Sequence, residues 1–272
     1  MCRAQSYNDT ATGMTQLDVN KAEANTSDVQ SLSPHPVLDE YYATASERRD
    51  AVDELFDSTA AEYDGITDIM SFGSGRWYRQ QALIRAGCVA GHKVLDVGAG
   101  TGVISALAQD IVGKDGEVVA LDPSAGMLGQ AQARGVRNCC MGLGEALPFP
   151  DQTFDLLTMG YALRHVADLR MAFSEYRRVL KLGGRILLLE ITRPSSTIGR
   201  GLLKFYMKGI VPNVGRLRSV ETKKLMRYYW DTIDSCVPPE TIVQAIADAG
   251  FAQTHRHKVM GIFSEYSGVN GE

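Results

Sequence analysis

Between residues 93 and 191 the apolar positions change period at short intervals. KVLDVG reads as an apolar strand, and VISALAQDIVG returns to helical spacing until a glycine stops it. KDG is a turn, EVVALD a strand, and PSAGMLGQAQARG a helix with Pro123 and Ser124 at its start. NCCMG and FDLLTMG predict two more strands. LRMAFSEYRRVLK predicts a helix, followed by a GG turn and the strand RILLLE. Strands alternating with helices of this length predict an α/β fold, a doubly wound parallel sheet with helices on both faces. Ahead of this block, Val52, Leu55, Phe56, Ala60 and Tyr63 recur at helical spacing between Glu47 and Tyr63, and a second helix is expected from near Gly75 to Gly87. Residues 192–238 break the rhythm with prolines, glycines and basic side chains. PPETIVQAIADAGF is then a helix, and HRHKVMGIFSEYSG one or two strands that close the sheet as an antiparallel hairpin. Residues 1–34 are polar without an apolar period and are expected to form a disordered tail.

The chain has 272 residues with a formal net charge of −4, so no global basic field points to nucleic acid. No apolar stretch approaches the ~18 residues of a membrane span, and the first residues lack the apolar segment of a secretory signal. Cys2, Cys88, Cys139, Cys140 and Cys236 are odd in number and fit no metal spacing. Reduced thiols in a cytoplasmic protein are the expectation. His255 and His257 alternate on a predicted strand but have no third ligand in view, so a solvated edge is preferred to a metal site.

The chemistry concentrates in VLDVGAGTG. A loop after the first strand lets a ligand approach the backbone where glycine removes the Cβ. Nicotinamide and flavin dinucleotides want G-x-G-x-x-G, whereas here Gly98, Gly100 and Gly102 are followed by Val103. No Lys-Ser or Lys-Thr follows, so this is not a P-loop. Asp122 ends the second strand, where a carboxylate accepts hydrogen bonds from both ribose hydroxyls. A nucleoside without pyrophosphate satisfies both clues, and S-adenosyl-L-methionine (SAM) is such a ligand.

LFDSTAAEYDGITDIMSFGSGRWYRQ, VLDVGAGTG, GEALPFPDQTFDLLTMGYALRHVADL and RVLKLGGRILLLEITRP resemble the ubiquinone/menaquinone C-methyltransferases (UbiE-type) among the class I SAM-dependent methyltransferases. The resemblance covers roughly residues 50–195. It implies a Rossmann-like, mostly parallel seven-stranded sheet. In that reading residues 35–90 form helices covering the cofactor site, and 91–272 form the SAM-binding domain with a basic lid at 192–238. It further implies that Gly98, Gly100, Thr101 and Gly102 line the methionine and ribose, that Asp122 holds the ribose, and that Tyr63, Leu143, Gly144 and Gly160 complete the cofactor site. Two positions depart from the family. It often has a polar residue at Leu143, and its quinone-type members carry Arg-Asn where this chain has Arg164-His165.

Methyl transfer from a sulfonium is an in-line displacement, so the protein has to hold the acceptor atom and exclude water. By the resemblance, Arg164 helps polarise or deprotonate a ring hydroxyl, and His165 is a candidate general base at neutral pH. A structural alternative pairs Arg164 with Asp168. Tyr161 either walls the pocket or belongs to the core. Between Gly199 and Arg227 stand eight basic residues (Arg200, Lys204, Lys208, Arg216, Arg218, Lys223, Lys224, Arg227) against one acid, Glu221, with Phe205, Tyr206, Tyr228, Tyr229 and Trp230 beside them. Three readings stand level. Lys204, Arg218, Lys223 and Lys224 clamp a diphosphate while the aromatics hold a prenyl chain; the segment rests on an anionic membrane; or the charges are a solvated face. The leading expectation is a C-methyltransferase acting on a hydrophobic isoprenoid or prenylated small molecule. The alternatives are a quinol C-methyltransferase, an O- or N-methyltransferase, and a SAM-binding scaffold subunit without catalysis.

Overall fold

A computed structural model describes residues 31–44, 47–60, 63–70, 73–213 and 219–271. The chain enters through helices α1 (Arg48–Thr59), α2 (Tyr63–Met70) and α3 (Gly75–Arg85). The alternating core follows as β1 (Lys93–Val97), α4 (Val103–Val112), β2 (Glu117–Asp122), α5 (Ala125–Ala133), β3 (Asn138–Met141), β4 (Phe154–Gly160), α6 (Leu169–Val179) and β5 (Leu180–Ile191). Helices α7 (Thr197–Phe205) and α8 (Val220–Ser235) come next, then α9 (Pro239–Asp248) and the hairpin β6 (Phe251–Val259) and β7 (Phe263–Asn270).

The seven strands lie in the order β3-β2-β1-β4-β5-β7-β6. β1 to β5 pair in parallel, and β7 pairs antiparallel with both β5 and β6. The apolar runs reflect burial on both faces. Leu95, Leu157 and Leu188 face Phe173 and Tyr176 of α6 and Ile246 of α9. Their neighbours Val94, Leu156 and Leu187 face Ala82 and Leu83 of α3 and Leu107 and Ala108 of α4. A third apolar cluster joins Val52 and Leu55 of α1 and Ile66 of α2 to Leu225, Met226, Tyr228, Tyr229 and Trp230 of α8. Helices from the two ends of the chain thus build one layer beside the sheet.

Several boundaries differ from expectation. The predicted Glu47–Tyr63 helix ends at Thr59, and Tyr63 opens a separate helix. The GG turn before RILLLE is absorbed into β5, where the register shifts opposite Phe154 and Leu156 and Gly183 takes φ +77°. The irregular stretch 192–238 contains α7, a π turn at Tyr206–Ile210 and α8. Order also begins before residue 35: the Leu32 carbonyl accepts from Leu169 N at 2.9 Å and the Pro34 carbonyl from Val237 N at 2.8 Å. Residues 1–30 of the expected tail lie outside the described residues.

Candidate functional site

Strand order reverses between β1 and β4, because the chain runs outward to β3 and then crosses back over β1. The loops beyond the carboxyl ends of these strands therefore diverge and leave a crevice. A cavity of about 350 Å³ fills it. Its lining includes Gly98, Gly100, Asp122, Leu143, Gly144 and Gly160 together with Arg48, Val52, Phe56, Tyr63, Tyr161 and His165.

The glycine loop is held from below. Asp96, buried in β1, accepts from Ser105 Oγ of α4 at 2.6 Å and Thr158 Oγ1 of β4 at 2.8 Å. Burial pushes its carboxyl up to about 6. Gly98 adopts φ +61°, and a Cβ there would stand 2.6 Å from Ala162 Cβ, so the loop packs against the β4 exit only without a side chain. Asp122 is aimed by the backbone: its Oδ2 accepts from Gly100 N at 2.8 Å and its Oδ1 from Ser124 N at 2.9 Å. These bonds fix the orientation of the carboxylate at the cavity. Ser124 also caps α5 by accepting from Met127 N at 3.0 Å. The bare glycine floor and the oriented carboxylate fit the nucleoside expected from sequence.

Thr101 and Gly102 are placed differently from Gly98 and Gly100. Neither lines the cavity. Thr101 Oγ1 donates to Asp64 Oδ1 of α2 at 2.6 Å, and Asp64 forms an ion pair with Arg134. Gly102 caps α4 in the left-handed region and packs on Ala131 and Val136. Both hold the loop to its surroundings.

Arg164 sits on a short 3₁₀ turn and is buried. It pairs with Glu190 of β5 (Nε to Oε1, 2.9 Å) and donates through Nη1 to Thr232 Oγ1 at 2.7 Å. It does not line the main cavity, only a small pocket beside it with Arg79, Tyr161 and Tyr229. The expected partner Asp168 instead caps α6, accepting from Arg170 N at 2.8 Å.

His165 does line the cavity. Its Nδ1 lies 3.1 Å from the Tyr228 hydroxyl, and its ring packs edge-on to Phe56 and stacks on Tyr228. Its Nε2 is buried without a hydrogen-bond partner. Burial, Arg164 and Arg48 hold its pKa well below the usual imidazole range, so the ring is neutral at pH 7. Tyr161 takes φ +63° at the end of β4, and the Arg79 guanidinium lies 5.0 Å from its ring centroid. The Tyr63 and Tyr229 hydroxyls meet at 2.5 Å.

Arg48 was not singled out from the sequence. It is 6% exposed, and Nη2 donates to the Arg164 carbonyl at 2.5 Å and bonds His35 Nε2 at 2.9 Å, while Nη1 reaches Ser33 Oγ at 3.3 Å. These three partners are neutral, and Nε has none. The result is a guanidinium charge at the cavity wall held by neutral groups. Nothing in the local pattern of residues 47–63 separates Arg48 from a surface arginine. Asp96 carried a legible signal, an acid inside an apolar strand.

The lysines of the expected diphosphate clamp are not at the cavity. Lys204, Lys223 and Lys224 are exposed and line no part of it, and Arg216 and Arg218 lie outside the described residues. Arg200 and Lys208 pair with Asp234 and Asp231 at 2.6 and 2.7 Å. Tyr228 and Tyr229 stand behind His165 and Tyr63, and Trp230 is buried in the helical cluster. His255, on the edge strand β6, bonds the Gln253 carbonyl at 3.0 Å. Among the described residues no helix is long and apolar enough to cross a membrane.

Comparison with known proteins places these features in context. The model of the ubiE/COQ5 methyltransferase family matches residues 43–270. The chain is 34% identical over 232 residues to the ubiquinone/menaquinone biosynthesis C-methyltransferase UbiE of Pseudoalteromonas translucida, covering 81% of this chain and 91% of that one. It is 36% identical to the UbiE of Shewanella piezotolerans, covering 78% and 86%. Among solved structures, a SAM-dependent methyltransferase of Thermotoga maritima described as a possible histamine N-methyltransferase superposes with a TM-score of 0.57 at 20% identity, covering 80% and 98%. Phosphoethanolamine N-methyltransferase 2 of Haemonchus contortus, in complex with SAM, superposes with a TM-score of 0.60 at 17% identity, covering 83% and 60%.

Proposed function

This chain belongs to the ubiE/COQ5 methyltransferase family and is a SAM-dependent methyltransferase of class I fold, and from that premise we propose that it methylates a ring carbon of a hydroquinone-type acceptor in quinone biosynthesis. The carrying observation is that one cavity is lined both by the glycines and Asp122 and by aromatic rings with a neutral histidine. This favours the quinol alternative over the prenyl diphosphate, since the clamp lysines Lys204, Lys223 and Lys224 do not line the cavity.

Asp122 holds the ribose of SAM, and Gly98, Gly100, Leu143, Gly144 and Gly160 shape its bed. SAM supplies the electrophilic methyl when bound. The rings of Phe56, Tyr63, Tyr161 and His165 flank a planar acceptor and exclude water. His165 is the base for the ring-hydroxyl proton: Nδ1 faces Tyr228, and Nε2, unpartnered and closed to solvent, takes the proton once the ring turns toward the acceptor, which makes the neighbouring ring carbon nucleophilic. Moving a proton from a phenol of pKa ~10 to an imidazole held below ~6.5 is uphill by more than about 5 kcal/mol. A cation about 4 Å from the developing phenolate returns about 4 kcal/mol at an effective dielectric of ~20, and Arg48 is the cation at that wall. Arg164, paired with Glu190, acts as a positioning residue for the turn that carries His165.

An acceptor screen with methyl-labelled SAM tests the reading. Demethylated quinols are expected to take label on carbon by mass spectrometry. Label in farnesyl or geranyl diphosphate, with none in quinols, would overturn it.

A further inference from the structure

Helix α7 turns its apolar stripe outward. Ile198, Leu202 and Phe205 recur at i, i+4 and i+7 and are 76%, 65% and 65% exposed. The helix contributes no fully buried residue. A lone exposed apolar side chain is ordinary, but three in one stripe mark a contact surface. Helix α8 presents a stripe of another kind: Val220, Lys223, Lys224 and Arg227 stand at i, i+3, i+4 and i+7, all exposed. The π turn after α7 joins the two helices, with Lys208 paired to Asp231 of α8 and Met207 packed in the cluster of Leu225 and Met226.

The charge balance is local. Asp231 and Asp234 answer Lys208 and Arg200, but among the described residues Lys204, Lys223, Lys224 and Arg227 pair with no carboxylate. They stand on a chain whose net charge is −4. Exposed apolar side chains beside exposed lysines and arginines are the composition of a helix lying in a bilayer interface. A second copy of this chain docked about a two-fold axis would set the same cations against one another.

We propose that the α7–α8 corner is a membrane dock that seats on an anionic bilayer. Ile198, Leu202 and Phe205 enter the headgroup–acyl boundary, and Lys204, Lys223, Lys224 and Arg227 meet lipid phosphates. Helix α8 also carries Tyr228 and Tyr229, which back the cavity at His165 and Tyr63, so one helix links the bilayer surface to the site.

Co-sedimentation of the full chain with vesicles is the test, using phosphatidylcholine alone and phosphatidylcholine with 30% phosphatidylglycerol, at 0.05 and 0.3 M salt. Binding is expected on the anionic vesicles and is expected to weaken with salt. Lys223→Gln and Lys224→Gln are each expected to weaken it about fivefold, and Leu202→Ser/Phe205→Ser at least tenfold. S-adenosylhomocysteine affinity serves as the folding control and is expected to stay constant in every variant. No sedimentation of the wild-type chain with anionic vesicles would overturn the proposal, and so would wild-type binding by the Leu202→Ser/Phe205→Ser variant. A dimer by light scattering that this variant dissolves would overturn it in favour of a second copy. Vesicle binding is read without a methyl acceptor, so failure of the quinol reading leaves this result standing.

Discussion

Replacing Arg164 with methionine removes one member of an ion pair whose side chains are 1% and 0% exposed. Glu190 keeps the Ile191 N–H at 2.8 Å and the backbone N–H of residue 164, and Oε2 has no hydrogen-bond partner. Thr232 stays satisfied, because its hydroxyl also donates to the Tyr228 carbonyl at 3.0 Å. The largest loss is a buried carboxylate stripped of its counter-charge, which costs about 3–5 kcal/mol; the Tyr229 and Tyr161 carbonyls each lose a long 3.4 Å bond as well. In a protein of this size each kcal/mol moves Tm by about 2–4 °C, so Tm is expected to fall by roughly 6–20 °C. Adding Glu190→Met removes the stranded charge as well and is expected to restore most of the loss, since apolar replacement of both partners is often near neutral. In the single variant the folded state holds a proton on Glu190 more readily than the unfolded chain does. Its deficit should therefore shrink as pH falls from 7.5 toward 5. Calorimetric unfolding of the wild type, both single variants and the double variant measures this. A loss under about 1 kcal/mol in Arg164→Met, or a double variant as unstable as the single, would refute the argument.

Three further outcomes are expected. Burial and Arg48 lower His35 to about 4, so between pH 7 and 4 the unfolded chain takes up a proton that the folded state refuses. Stability is expected to fall by about 3 kcal/mol across that window, and His35→Gln to flatten the fall in urea titrations at pH 7.5 and 5. Gly98→Ala places a Cβ 2.6 Å from Ala162 Cβ at φ +61°; cofactor affinity by calorimetry should collapse, with Gly98→Ala/Ala162→Gly recovering only part because the backbone strain remains. Asp122→Asn exchanges a charged acceptor for a neutral amide, and S-adenosylhomocysteine should bind roughly 10- to 100-fold more weakly. Unchanged affinity would remove the ribose assignment.

The sheet was legible because Leu95, Leu157, Leu188 and their neighbours are buried on opposite faces, which leaves unbroken apolar runs in the sequence. Gly98, Asp122 and Gly160 were legible for a related reason: each position is dictated by its own strand end. The hydroxyl of Thr101 bonds Asp64, a partner 37 positions away that the loop's own sequence does not disclose. Helices α7 and α8 escaped notice because the exposed Ile198, Leu202 and Phe205 defeat an inside-or-outside reading of hydrophobicity. The basic segment disclosed its sign but not which way its lysines face. Arg48 meets the Arg164 carbonyl across 116 positions, a pairing no local pattern contains.

The N-terminal wall of the cavity leans on a helix late in the chain: Phe56 and Tyr63 both pack against Tyr229 of α8. During synthesis the glycine loop and Asp122 can take their places long before α8 leaves the ribosome, whereas the acceptor wall has to wait for it. Nucleoside recognition and acceptor recognition therefore mature at different times. Loosening the N-terminal helices would reach both functions at once, because Asp64 of α2 anchors the glycine loop through Thr101 while Phe56 and Tyr63 wall the acceptor side.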